Sequence, residues 1–330
     1  MRILVTGGAG YVGSACLRAL LAAGHEAVAY DNLIQGHREA VPEGRLVKGD
    51  IRDTDALAAA MQSIQADGVM HFAAATCVGE SVDDPEYHYD NNIGGTLSLL
   101  NAMRKAGVKR MLFSSTCATY GMNPKVPMNE ESMQDPCSPY ARTKLTVEWM
   151  IRDFAHAYGL GYTLLRYFNA SGADADGKFG EDHNPENHLI PLVLQVPLGK
   201  REHIKVFGTD YPTPDGTCIR DYVHTSDLAS AHILAIGATE SNTAEVYNIG
   251  TGAGYSVLDV IRAAESVVGK PIRVELTSRR PGDPPALVAD PTKICSRLGW
   301  NPKFVKISEI VASAWEWHQR NPSGYVGRCE

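Results

Sequence analysis

The sequence has 330 residues, 44% of them hydrophobic and 21% charged, with a net charge of −7; that is globular composition, long enough for one large α/β unit or two modest domains. The mild acidity argues against a nucleic-acid binder, which carries a basic face, and no apolar run approaches the ~20 residues of a membrane span. The seven cysteines (Cys16, Cys77, Cys117, Cys137, Cys218, Cys295 and Cys329) form no C-x-x-C pair, and there is no H-E-x-x-H or H-x-H spacing, so neither a disulfide framework nor a zinc site is expected.

The chain opens on MRILVTGGAG, which reads as a strand running into a glycine loop with no signal peptide ahead of it, so a cytoplasmic protein is expected. A helix is predicted over YVGSACLRALLAAGH, then strands at EAVAYD, GRLVKGD, GVMHFAA and KRMLFSS with helical patterns between them. This βαβα order predicts a parallel sheet with helices on both faces. The strands are apolar at successive positions, as strands buried on both sides require.

Between the first strand and first helix, Gly7, Gly10 and Gly13 are spaced G-x-x-G-x-x-G. A tight turn, close approach of backbone to a pyrophosphate and close helix–strand packing all call for glycine there, and the helix N-terminus favours anions. This context points to dinucleotide binding. The second strand ends at Asp31, where a carboxylate takes ribose hydroxyls and repels a 2′-phosphate. Asn32 follows rather than arginine, so NAD is favoured over NADP. In GDIRD, Asp50 and Ile51 are placed to flank an adenine, although Asp before a helix also reads as an N-cap.

The strand KRMLF ends in FSSTCATYG, which puts Ser114, Ser115 and Thr116 at the carboxyl edge of the sheet, where ligands bind in open α/β folds. SPYARTKLTVE then begins a helix at Pro139, capped by Ser138 and continuing to Tyr158. Tyr140 and Lys144 fall one turn apart on one face. A nearby ammonium lowers a tyrosine pKa from its usual ~10 toward that of a useful base. After the strand YTLLRYFN and Gly172 the character changes. GADADGKFGEDHNPENH is a polar connector, GTDYPTPDGT a second turn-rich segment, and shorter elements run to the helix EIVASAWEWHQRN. A first domain over 1–172 and a second, smaller one over 173–330 are expected, with the chain returning to the first around 218–240.

The stretches TGGAGYVGS, YDNL, HFAA, VGES, YDNN, SPYARTK, LRYFNASGA, GTDYPTPDGTCIRDYVH and RRPGDPP resemble the extended short-chain dehydrogenase/reductase family essentially from end to end. The resemblance is to its members that epimerise nucleotide-sugars. It implies a Rossmann-type doubly wound sheet, a smaller α/β substrate domain, and NAD that stays bound through turnover. Tyr140 would take the proton from the 4-hydroxyl of a UDP-sugar (UDP-glucose or UDP-galactose) and return it after a 4-keto intermediate has turned over. Lys144 would bridge the nicotinamide ribose, and Thr116 would stand where the family has Ser or Thr.

Carried over by position, NAD would also be lined by Tyr11 and Val12 of the glycine loop, by Phe72, Ala73 and Ala74, and by Asn91, Ser114 and Phe168. The UDP-sugar would meet Asn169, His188, Leu189, Lys205, Phe207, Arg220, Tyr222, Arg280 and Asp283. Two arginines suit a diphosphate through their forked donors. Partners implied are a UDP-sugar and a second copy of the chain, a homodimer joined through helices around Tyr87–Arg104 and Pro139–Tyr158.

Cys117-Ala118 after Thr116 removes the Asp-Glu pair a sugar-nucleotide dehydratase needs, and the glutamate expected of a decarboxylase. A 4-epimerase of a UDP-pentose or UDP-glucuronate differs by only a few side chains. A non-enzymatic NAD sensor would lack the Tyr140/Lys144 pair. Leu287 stands where the family limits room beside the sugar's 2-substituent: a tyrosine there restricts the site, a small residue admits N-acetylated sugars, and leucine is intermediate. Some activity on UDP-N-acetylglucosamine is therefore expected.

Overall fold

The computed structural model describes residues 1–122, 125–174, 177–280 and 282–325; Cys329 lies outside them. The first half runs β1 (Arg2–Thr6), α1 (Tyr11–Ala22), β2 (Glu26–Asp31), β3 (Leu46–Lys48), α2 (Thr54–Ser63), β4 (Gly68–His71), α3 (Val78–Asp83), α4 (Pro85–Tyr89), α5 (Gly95–Ala106), β5 (Arg110–Thr116), α6 (Pro139–Tyr158) and β6 (Gly161–Tyr167). The second half runs β7 (Asn169–Ser171), α7 (Leu189–Gln195), β8 (Ile204–Phe207), β9 (Ile219–His224), α8 (Thr225–Ala238), β10 (Ala244–Ile249), β11 (Gly254–Ser256), α9 (Val257–Val268), β12 (Val274–Thr277), β13 (Ala286–Leu287), α10 (Thr292–Leu298) and α11 (Ile307–Arg320).

Seven strands form one parallel sheet in the order β3-β2-β1-β4-β5-β6-β10. Ile3, Leu4 and Val5 are all fully buried, because the sheet is covered on both faces. Ile3 and Val5 pack with Leu17 and Leu20 of α1 and Leu228 and Ala231 of α8. Leu4 faces the other way, toward Leu57 of α2, Leu99 and Met103 of α5, and Val147 and Ile151 of α6. The alternation of faces along a strand thus turns one apolar run into two cores.

The segment 218–240, where a return to the first domain is expected, holds β9 and α8. β9 pairs with β7, β11 and β13 in a separate small sheet. The return is made by α8, packed on α1, and by β10 at the sheet edge. RDYVH and AEVYN are similar short stretches in the sequence. Only the pairing tells which sheet each joins. A third apolar cluster joins Val193 and Leu194 of α7, Ile204 of β8, Val260 and Ile261 of α9, and Ile310 and Val311 of α11. Among the described residues, no helix is long and apolar enough to cross a membrane.

Candidate active site at the carboxyl edge of the sheet

Register lines up the strand ends. Thr6 lies opposite Tyr30 on one side and His71 on the other, and Thr116 lies opposite Tyr167. Gly7, Asp31, Phe72 and Thr116 therefore all leave or end strands on one edge. The strand order reverses between β1 and β4, and the crevice beside such a switch point is where ligands bind in this class of sheet.

The glycine loop fits a dinucleotide by its lack of side chains. Gly7 has φ +72°, and a Cβ there would sit 2.5 Å from the Ala73 nitrogen; a Cβ on Gly13 would sit 2.1 Å from the Gly7 carbonyl oxygen. Gly10 caps α1 without a side-chain hydrogen bond, so the first N–H groups of α1 keep their capacity for an anion. Tyr11 donates its hydroxyl to the Gly172 carbonyl at 2.6 Å, and Val12 packs against the α1 core. Asp31 is buried; its carboxylate accepts from the Ala9 and Leu33 nitrogens at 3.0 and 2.8 Å, so it holds the loop. Asn32 donates to Asp50 at 3.2 Å. Hydrogen bonds from Arg52 hold the Asp50 carboxyl well below its usual range. Ile51 is 4% exposed, within the core on that face.

Phe72, Ala73 and Ala74 leave β4 half-buried, with the Phe72 ring 5.0 Å from that of His232. Asn91 donates to Asn92, which in turn holds Ala75 and Thr143. Phe168 is buried against Cys117, Tyr120 and Met128.

α6 is built as its sequence predicts. The Ser138 hydroxyl accepts from the Ala141 nitrogen at 3.2 Å, Pro139 opens the first turn, and Gly159 ends the helix at φ +69°. The Tyr140 phenol lies beside Thr116, whose Oγ1 accepts from the Ala118 nitrogen at 3.1 Å. Lys144 is 3% exposed and donates its Nζ to the Ser114 carbonyl at 2.8 Å, above the Phe113 ring. The Ser114 hydroxyl meets Tyr167 at 2.7 Å.

The expectation that Lys144 lowers the Tyr140 pKa does not describe this arrangement. Burial, with Tyr167 beside it, pushes the phenol above its ordinary value, although the neighbouring Thr116 hydroxyl pulls the other way. Burial also pulls Lys144 down to about 7, against the pull of Glu148. Desolvation disfavours both charged forms, and the ammonium is spent on a carbonyl rather than on the phenol.

On the substrate side, β9 stands between β7 and β13, with Asn169 in register with Tyr222 and Leu287 with Arg220. Asn169 donates to the Asp221 carbonyl at 2.9 Å. Arg220 reaches the Ile219 and Pro284 carbonyls and lies 3.3 Å from Asp283, so these two expected ligands are brought together. Arg280 stacks over the Phe207 ring at 4.4 Å, while Lys205 points outward on β8. Tyr222 is buried in the third apolar cluster. Leu287 packs on the group containing Cys117 and Phe168, beside the Thr116 strand end. His188 caps α7, whose first residue is Leu189, and its ring turns to Glu181 and Glu186.

Two groups escaped the sequence reading. Behind the pair, Glu148 binds Arg166 through both oxygens at 2.9 and 2.6 Å and accepts from Ser115 at 2.6 Å; the signal was Glu148, one turn beyond Lys144. The other is Glu181, His183, Glu186 and His188, whose ligand atoms lie within 4.8 Å of one another. Its spacing, E-x-H-x-x-E-x-H across a connector, is not one of the compact metal-ligand patterns.

Residues 3–250 match the family model described as the NAD dependent epimerase/dehydratase family. The chain is 46% identical to a UDP-glucose 4-epimerase of Lacticaseibacillus casei, over 99% of this chain and 100% of the other. The structure of UDP-glucose 4-epimerase from Brucella ovis in complex with NAD aligns with a TM-score of 0.91 at 46% identity, over 95% and 97% of the two chains. That of UDP-glucose 4-epimerase from Bifidobacterium longum in complex with NAD+ and UDP aligns with a TM-score of 0.93 at 38% identity, over 98% and 100%.

Proposed function

The chain belongs to the NAD dependent epimerase/dehydratase family, and from that premise we infer that it is an enzyme that epimerises UDP-glucose at C4, to and from UDP-galactose, with NAD as its cofactor. The observation that carries this reading is the buried Tyr140 beside Thr116 at the open edge of the sheet, with Lys144 one helical turn away. Bound NAD supplies the acceptor and donor of the C4 hydride. The chain's residues handle the proton. Tyr140 accepts it from the 4-hydroxyl as the carbonyl forms, and returns it when the opposite face is reduced, so no proton is consumed. A buried phenol is a poor base by itself. In this structure the Lys144 ammonium is held by the Ser114 carbonyl; with NAD bound it would have to be drawn toward Tyr140 for its charge to offset the cost of the phenolate.

Arg220, Asp283, Arg280, Phe207 and Asn169 hold the UDP portion in this account, and Asp31, Asp50 and the glycine loop the dinucleotide. The division into a 1–172 dinucleotide portion and a 173–330 substrate portion, with a return through α8 and β10, belongs to the same proposal. Leu287, packed beside Cys117 and Phe168, supports activity on UDP-N-acetylglucosamine. Tyr89, Leu97 and Trp149 expose 41%, 43% and 56% of their surfaces on α4, α5 and α6; this apolar group supports a homodimer through these helices, which light scattering tests. The functional test is to mix the purified protein with UDP-galactose, without added NAD. UDP-glucose should appear, and its failure to appear even with NAD added rules the reading out.

A further inference from the structure

Four side chains away from Tyr140 aim at one point. Glu181, His183, Glu186 and His188 lie on the connector that leads into α7. His183 Nδ1 is 3.4 Å from Glu181 Oε1 and 3.8 Å from Glu186 Oε2, and His188 Nδ1 is 2.7 Å and 3.2 Å from Glu181 Oε1 and Glu186 Oε1. The two carboxylates are buried, with 5% and 8% of their side chains exposed, while His183 and His188 expose 24% and 48%. The group is closed from the protein side and open toward solvent at the histidines.

His188 Nδ1 is hydrogen-bonded to Glu186 Oε1, which also accepts from the Asn187 and His188 nitrogens; the other three contacts are near in distance but poor in direction. Glu181 Oε1 and His183 Nδ1 are both buried without a hydrogen-bond partner. These two unpaired atoms, with His188 Nδ1 and a Glu186 oxygen close by, form a ligand set. In a tetrahedral zinc site with bonds of 2.0–2.1 Å, ligand atoms stand about 3.3–3.4 Å apart, and the four separations here bracket that value. We propose that Glu181, His183, Glu186 and His188 bind a zinc ion. Two imidazoles and two carboxylates suit a borderline divalent transition metal; magnesium or calcium would call for oxygen ligands. Four protein ligands close the coordination shell, so the ion is structural and holds no substrate.

Its place in the fold says what it would steady. The Trp317 indole of α11 donates to the Glu181 carbonyl at 3.2 Å, the Tyr11 ring meets His183 edge-on, and His188 leads directly into α7. The ion ties the start of α7 to α11 and to the glycine-loop end of α1. As a ligand, His188 is not free to contact the sugar, which revises the role expected of it. Metal-free, the group is held by charge: burial opposes ionisation, but Glu181 and Glu186 still raise His183 to about 9. Zinc and protons therefore compete for the same atoms.

The proposal does not rest on the epimerase reading, and its test does not use activity. The full-length protein, with its NAD, is stripped by a chelator, dialysed and titrated with Zn2+ by calorimetry, with metal content and melting temperature followed. One zinc per chain should bind and raise the melting temperature. Glu186→Gln and His183→Ala, each checked for fold by circular dichroism, should weaken zinc binding at least about tenfold. Cobalt(II) should give four-coordinate visible bands without thiolate charge transfer. Substoichiometric uptake by the unaltered protein, unchanged affinity in a folded variant of either kind, or a thiolate band that places the ion on cysteine would each overturn the assignment.

Discussion

Replacing Lys144 with methionine should stabilise the fold while it abolishes activity, and the gain should disappear at high pH. Lys144 has an ordinary pKa of 10.5 that burial lowers to about 7 in the folded chain. Between these values the unfolded chain binds a proton that the folded chain has released, so stability rises with pH across this window. Below it, both states are charged and the fold bears the whole cost of a buried ammonium. At about 1.4 kcal/mol per pH unit that cost has an upper bound of about 5 kcal/mol. The hydrogen bond to the Ser114 carbonyl returns about 1–3 kcal/mol of it, which leaves a net gain of about 2–4 kcal/mol for a buried apolar side chain of similar length. With an unfolding entropy of about 2.1 cal/mol/K per residue, a chain of 330 residues should melt about 3–6 °C higher in the variant at pH 6. The assay is thermal unfolding of NAD-stripped protein from pH 6 to pH 10.5, beside the epimerase assay. A variant that melts no higher than the parent at pH 6, or a difference that does not shrink as pH rises, would refute the reasoning.

Thr116→Val removes the hydroxyl that Tyr140 meets and that the Ala118 nitrogen donates to. kcat should fall about 10–100-fold with KM nearly unchanged, as steady-state kinetics would show; unaltered kcat would remove Thr116 from the proton path. Gly13→Ala sets a methyl 2.1 Å from the Gly7 carbonyl, so the purified variant should carry little NAD when its released nucleotide is quantified. Stoichiometric NAD would mean that the loop tolerates the methyl group. Leu287→Tyr should depress kcat/KM for UDP-N-acetylglucosamine relative to UDP-glucose, and Leu287→Ala should raise it. Equal ratios in all three proteins would place the specificity elsewhere.

The parts of the site legible in the sequence are those that local chemistry decides. The glycine loop, the Ser138-Pro139 start of α6 and its stop at Gly159 follow from backbone demands that act over a few residues. The apolar runs of β1 and β5 announced a sheet covered on both faces. What the sequence hid depends on partners far along the chain. Ile219–His224 and Ala244–Ile249 are similar short strands, and only pairing with β7 or with β6 assigns each to its sheet. The protonation of Tyr140 and Lys144 was misread because spacing places charges but does not measure burial. Glu148 looks like an ordinary helix-surface glutamate until Arg166 arrives from β6 to pair with it. Glu181 and Glu186 looked like solvated polar residues until the fold buried them against the two histidines.

The central claim is that the Tyr140 oxygen carries the proton of the 4-hydroxyl in both directions. Its most direct test is Tyr140→Phe, which keeps the ring and removes that oxygen. With UDP-galactose as substrate and NAD occupancy verified, conversion to UDP-glucose should fall by at least about 100-fold while UDP binding, measured by calorimetry, stays near that of the parent. Full activity in the phenylalanine variant would contradict the account.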